Sequence, residues 1–326
     1  MNVKENKLRI SKPKKQLVLY GYKKYFDTFL SLYKNKKLPN VMLLSGPGGS
    51  GKSTFAYHFI NYIFSYNEEY KYELEDFTIN AKNYSFQQLS NNTHPNFFLI
   101  ENSPEVEFIK IEQVRKLIKF LNKSTYSKNI KIVLIDNIEC LNSNSSNALL
   151  KSLEEPNKNT FFIFTHDSSA SVLDTIQSRC VKFKFYFNTL EKKNIFNGIM
   201  KNYQFDFTEK DIENFFYYNT PGYFLNFLEV FQGSTLDIFN DKLSCILYLV
   251  EKFKTQKDSS MLKHISLLVE QLYMDLSLSD SKNLNSYYFN KNKILYLIDD
   301  MKKFNLDKKN LLISIDQILK NEFIFS

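Results

Sequence analysis

Two periods of apolar and polar positions run along this chain, and the place where one gives way to the other divides it. Residues 22–35 carry apolar side chains at Tyr25, Phe26, Phe29, Leu30 and Leu32, the stripe of an amphipathic helix. The run VMLLS at 41–45, bounded by Pro39 and Gly46, is apolar almost throughout, which suits a parallel strand buried on both faces. A helix is expected from Lys52 to about Phe64. Residues 65–93 are polar without a clear period and read as a loop or small insertion. Phe97–Glu101 reads as a second strand. In 111–122, Ile111, Val114, Leu117, Ile118 and Leu121 line one helical face. Strands follow at Lys131–Asp136, Thr160–Thr165 and Val181–Tyr186, with a helix over 145–154 that Pro156 stops.

Apolar strands alternating with helices predict a parallel sheet covered on both faces. Beyond residue 187 only helical periodicity is found. Thr220-Pro221 has the form of a helix start, with threonine as N-cap and proline at the first helical position. Further helices are expected over 235–256, 258–277, 290–303 and 308–321. An α/β part is thus followed by an all-α part.

The length of 326 residues allows two or three domains, and 43% hydrophobic residues supply a core. No run of 18 apolar residues suggests a membrane span. Met1 to Lys15 is lysine-rich with no apolar h-region, so a flexible lead-in and a cytoplasmic location are expected rather than a secretory signal. Cys140, Cys180 and Cys245 lie too far apart in sequence to suggest a disulfide framework or a zinc site. The net charge of +8 is compatible with nucleic acid but is weak evidence alone. It comes almost entirely from lysine, because Arg9, Arg115 and Arg179 are the only arginines. In such a chain an arginine marks a place where the planar five-donor fork is needed.

The segment Gly46-Pro47-Gly48-Gly49-Ser50-Gly51-Lys52-Ser53, followed by Thr54, matches the phosphate-binding pattern G-x-x-x-x-G-K-[ST] between a strand and a helix. Its glycines let several backbone N–H groups face one phosphate, and the helix points its positive end there. Lys52 is placed to reach the β- and γ-phosphates of ATP, and Ser53 to ligate Mg²⁺. The third strand ends in Asp136, the position of an acid that holds Mg²⁺ through water; a strand-ending acid without that role is the alternative. The next residue is Asn137, whose amide cannot take a proton from an attacking water. Glu139, two residues further, is expected to point elsewhere. Thr165 or His166 ends the fourth strand where a γ-phosphate could be sensed. These residues support nucleotide and magnesium binding and argue against efficient hydrolysis.

Asn147-Ala148-Leu149-Leu150-Lys151-Ser152-Leu153-Glu154-Glu155-Pro156 resembles the N-A-L-L-K-x-L-E-E-P segment of clamp-loader AAA+ subunits, and Ser178-Arg179-Cys180 resembles their SRC motif. With the P-loop and the Asp-ended strand, these occur in the family's order. The resemblance covers roughly residues 18–235. It is closest to the delta-prime branch of the family, because Asn137 replaces the hydrolytic acid and Tyr223 stands where motor subunits carry a lid arginine.

The resemblance implies an α/β P-loop NTPase (AAA+) domain over 18–187 with a parallel sheet, following the segment 1–17. It also implies a small helical lid over 188–235 and an all-α collar over 236–326. Arg179 would then act as an arginine finger in a neighbouring subunit's ATP site; the alternative is a tie to a local carboxylate. Implied partners are motor (gamma/tau) and delta subunits, a sliding clamp and primer-template DNA. Family members often carry a four-cysteine zinc module after the first P-loop helix. The corresponding 65–93 has no cysteine, so no zinc is expected. Arg115, Lys116 and Lys119 either contact template phosphates or form a solvated basic face. An ATP-hydrolysing motor subunit of the same ring type is the competing reading, favoured by the intact P-loop. A small-molecule kinase would leave the SRC motif and the helical half unexplained.

Overall fold

The computed structural model describes residues 10–102, 108–123, 130–157, 159–203, 220–256, 259–280, 282–304 and 308–323. The chain forms two units, residues 1–229 and 230–326.

The first unit is built on five parallel strands, β1 (Val41–Gly46), β2 (Phe97–Ile100), β3 (Lys131–Ile135), β4 (Thr160–Asp167) and β5 (Val181–Lys184), in the order β2-β3-β4-β1-β5. Alternate residues of each central strand feed two separate cores. Met42, Leu44, Ile132, Leu134 and Ile163 pack against α1 (Lys23–Lys34) and α2 (Lys52–Phe64). Val41, Leu43, Val133, Ile135, Phe162 and Phe164 face α4 (Ile111–Leu121) and α5 (Ser143–Glu154) on the other side. Burial on both faces explains why β1 and β3 are almost wholly apolar in sequence. The α/β expectation and its strands are therefore met.

Two expectations are refined locally. The polar segment 65–93 contains a helix, α3 (Tyr84–Ser90), because Asn83 caps it by accepting from the Phe86 N–H at 2.6 Å. Glu68 adds a carboxylate at that N-terminus, accepting from the Tyr84 and Ser85 N–H groups at 3.0 Å. The lead-in 1–17 is not free where it is described. The Ser90 hydroxyl donates to the Lys14 carbonyl at 2.9 Å, and the Ile79 N–H to the Leu17 carbonyl at 2.8 Å. Residues 1–9 lie outside the described residues.

Lys131, which begins β3, is buried and has a task that periodicity does not reveal. Its ammonium donates to the Phe120 and Leu121 carbonyls at 2.9 and 3.1 Å, and to that of Lys123. It thereby closes the C-terminal end of α4, where helix carbonyls have no partners of their own. Lys131→Met should cost about 2–3 kcal/mol, since hydrogen bonds to a charged group contribute about 1.5–3 kcal/mol. The urea midpoint of unfolding measures it.

After β4 come a short α6 (Asp174–Gln177), then β5, α7 (Thr189–Tyr203) and α8 (Pro221–Val230). The second unit consists of α9 (Lys242–Gln256), α10 (Ser259–Ser279), α11 (Leu284–Phe304) and α12 (Lys308–Phe323). Consecutive helices pack side by side and α9 also meets α12, so the four close on one core. That core includes Ile246, Leu249 and Phe253 of α9, Ile265 and Val269 of α10, Ile294 and Ile298 of α11, and Ile315 of α12. The spacing of three and four residues within each helix, with Leu312 and Leu319 flanking Ile315 in α12, is the amphipathic stripe expected of helices in this half of the sequence. Among the described residues no helix is long and apolar enough to cross a membrane.

Candidate nucleotide site

The P-loop follows β1 and runs into α2. Gly49 and Gly51 hold φ of 71° and 91°, values a side chain would resist, and Gly51 is the turn from which α2 starts. The loop rests on the aromatic core, since the Tyr22 hydroxyl donates to the Ser50 carbonyl at 2.8 Å. The Ser50 hydroxyl in turn donates to the Pro47 carbonyl at 2.8 Å.

Lys52 is folded back on its own loop, donating to the Gly46 and Pro47 carbonyls at 2.8 and 2.7 Å. Burial pulls its ammonium below the usual lysine range, and the carboxylates of Asp167, Glu139 and Asp136 oppose that shift. Asp136 follows β3 and gathers the remaining polar groups. Its Oδ1 accepts from the Ser53 hydroxyl at 2.6 Å and from the Thr165 hydroxyl at 2.5 Å. Thr165 Oγ1 also accepts from the Asn137 N–H at 2.9 Å. The structure thus brings together Lys52, Ser53, Asp136 and Thr165, with Thr54 next on α2. His166 is spent on scaffolding: one ring nitrogen lies 3.0 Å from the Ser45 hydroxyl and the other 3.0 Å from the Ala170 carbonyl.

A hydroxyl and a carboxylate converging at the P-loop form a hard-oxygen donor pair. That pair suits Mg²⁺, which takes few protein ligands and completes its shell with phosphate and water. Ser53 and Asp136 are the residues that would hold it.

One expectation about this site is overturned. Asn137 takes a left-handed conformation, φ 58° and ψ 66°, which asparagine tolerates. Its amide reaches toward Asn102, at 3.5 Å. The short turn Ile138–Cys140 that follows brings Glu139 back, and its Oε1 accepts from the Asp167 N–H at 3.1 Å beyond β4. Its Oε2 is buried without a hydrogen-bond partner, and burial raises the carboxyl above the ordinary glutamate range. Glu139 therefore faces the site rather than away from it. Only the left-handed turn at Asn137 reveals this.

The N-terminus of α8 closes over the loop. The Thr220 hydroxyl donates to the Gly48 carbonyl at 2.6 Å, and the Gly222 N–H to the Gly49 carbonyl at 2.9 Å. A Cβ on Gly222 would lie 2.5 Å from the Gly49 carbonyl oxygen. Gly222→Ala should therefore part helix and loop at a cost of about 1–3 kcal/mol. That outweighs the roughly 1 kcal/mol alanine adds to a helix. Faster amide exchange in 221–229, with the second unit unchanged, is the expected readout. Tyr223 lies beside the loop, and burial pushes its phenol above the ordinary range.

Arg179 lies elsewhere. It precedes β5, whose Val181 pairs with Met42 at the start of β1. The P-loop leaves β1 at its other end, so about 13 Å of strand separates the level of Val181 from the P-loop, and Arg179 lies two residues further back. Its guanidinium is partly exposed and pairs with Glu154 at the end of α5. The tie to a local carboxylate, the alternative drawn from the sequence, is thus the arrangement of the isolated chain. Cys180 beside it has its thiol pushed up to about 12 by burial. On α4, Arg115, Lys116 and Lys119 are all exposed opposite the buried Val114, Leu117 and Leu121.

The family described as DNA polymerase III, delta subunit, matches residues 21–189, the segment holding the P-loop, Asp136, the NALLKSLEEP helix and Arg179. The DNA polymerase III subunit delta' of Pseudomonas aeruginosa is 33% identical over 143 residues, 44% of this chain and 42% of that protein. The Haemophilus influenzae subunit delta' is 40% identical over 89 residues, 27% of each chain. The Bacillus subtilis subunit delta' is 31% identical over 99 residues, 30% of each chain. The aligned part thus spans less than half of each of these relatives. Motif order and relatives agree: the chain belongs to the family described as DNA polymerase III, delta subunit, and is similar to its subunit delta' members.

Proposed function

We propose that this chain is the clamp-loader subunit that donates Arg179 to a motor neighbour while hydrolysing ATP poorly or not at all itself. The observation that carries the reading is the placement of Arg179 at the opposite end of the strands from its own P-loop. From there the guanidinium is out of reach of its own P-loop, which favours a role at another molecule's nucleotide. Its planar fork matches phosphate oxygens, as a finger acting in trans requires. Asn137 in place of an acid, and Tyr223 in place of a lid arginine, weaken the chain's own site for hydrolysis.

In this reading residues 188–235 act as the lid and 236–326 as a collar joining the subunits. Motor (gamma/tau) and delta subunits, the sliding clamp and primer-template DNA are the partners, in DNA replication in the cytoplasm. Arg115, Lys116 and Lys119 are the phosphate contacts. A second reading, an ATP-hydrolysing motor, gains from Glu139, which turns an acid toward Lys52 and Asp167.

The deciding experiment reconstitutes the chain with motor and delta subunits, clamp and primed DNA. It compares ATP turnover for wild type, Lys52→Ala and Arg179→Ala. Loss with Arg179→Ala alone supports the finger-donating subunit. Loss with Lys52→Ala, together with hydrolysis by the chain alone, supports the motor.

A further inference from the structure

In the isolated chain the guanidinium of Arg179 is divided between two supports. Nη1 donates to the Thr175 carbonyl of α6 at 2.8 Å and lies 3.4 Å from the Ser178 hydroxyl. The other edge faces Glu154: Nε donates to Oε1 at 3.1 Å, and Nη2 to the same oxygen. That Nε–Nη2 edge is one of the two guanidinium edges that can grip two oxygens of a phosphate or carboxylate, and the other needs Nη1, which the Thr175 carbonyl holds. Glu154 therefore occupies the donors a neighbour's phosphate would need.

The position of Glu154 makes this occupancy easy to give up. It is the last residue of α5, where the helix presents carbonyl oxygens and a negative charge is disfavoured. Its side chain is 49% exposed and that of Arg179 31%, so water and salt screen the pair. The Thr175 carbonyl lies on the far side of the guanidinium and can keep its hydrogen bond while the Glu154 edge changes partner.

We propose that Glu154 is a positioning residue for Arg179. It holds the two-donor edge in the unassembled chain and yields it to a neighbouring subunit's nucleotide phosphate on assembly. This rests on the reading of Arg179 as a finger in trans. Glu154 thus sets how readily the finger engages, not how strongly it stabilises the reaction once engaged.

The test titrates this chain into the reconstituted motor subunits with ATP, clamp and primed DNA, and reads half-maximal concentration and maximal turnover separately. Glu154→Gln keeps the size and an acceptor oxygen but removes the charge. It should lower the half-maximal concentration about two- to fivefold, the range of an exposed ion pair. Maximal turnover should stay within about twofold of wild type, and the gap between the two proteins should narrow as salt is raised. Arg179→Ala with Glu154→Gln should behave as Arg179→Ala alone. A melting curve like that of wild type checks that the variant folds.

An unchanged midpoint beside a normal Arg179→Ala loss would overturn the role of Glu154 alone. So would a fall in maximal turnover with the midpoint intact, which would make the pair a structural tie. If Arg179→Ala has no effect, the finger itself is refuted and this inference with it.

Discussion

Arg179→Ala is expected, on the proposed reading, to slow phosphoryl transfer at a neighbouring motor site by about 10³-fold, the low end for fingers supplied in trans. Such a factor corresponds to about 4 kcal/mol of transition-state stabilisation. One bidentate contact to charge spread over phosphate oxygens can supply that much in a site closed to water, and an alanine supplies none of it. Arg179→Lys should recover only part of the rate, because a point charge cannot make the forked contact. On the proposed reading, in which this chain's own site hydrolyses poorly, Lys52→Ala should change turnover less than about twofold. Single-turnover phosphate release from the assembly reads the effect: one kinetic phase should vanish while the others persist. An intact phase pattern with Arg179→Ala would leave the guanidinium as nothing more than the partner of Glu154.

What was legible in the sequence follows from how local each signal is. β1 and β3 were readable because strands buried on both faces are almost wholly apolar. The P-loop was readable because phosphate binding needs its glycines, lysine and serine within eight consecutive positions. The helix α3 is not legible because its evidence is a cap at Asn83 and a distant carboxylate at Glu68, with little apolar period between. The direction of Glu139 is hidden in the sequence because it depends on one left-handed residue, Asn137, which residue type permits but does not announce. The pair of Arg179 with Glu154 spans 25 positions and is created only when α5 packs beside the segment leading into β5. The contact of Gly222 with Gly49 joins residues still further apart, and a glycine in a helix start gives no sign of what it will touch. Elements were thus written locally, while the partners of the polar groups were written by topology.

Phe55→Ala should produce the largest loss of stability among single side-chain deletions around the site, about 3–5 kcal/mol. Phe55 lies on the first turn of α2, two residues after Ser53, and is fully buried. Its ring centroid lies 5.1 Å from that of Tyr22, 5.8 Å from Phe26, 5.0 Å from Phe29 and 4.9 Å from Phe185. One ring thus ties α1, α2 and the segment after β5 together. Each aromatic pair adds about 0.5–1.5 kcal/mol beyond the area it buries. Collapse around the vacated volume is hindered, because the surrounding rings are themselves held in place: the Tyr22 hydroxyl is fixed to the Ser50 carbonyl of the P-loop. For that reason the variant should also loosen the loop, and amide exchange at 47–53 should rise with the fall in urea midpoint. Phe55→Leu keeps most of the volume and should cost well under half as much. Equal losses for the leucine and alanine variants would mean that ring geometry, rather than filled volume, holds this corner. An unchanged loop in the alanine variant would show that Tyr22 anchors Ser50 without help from Phe55.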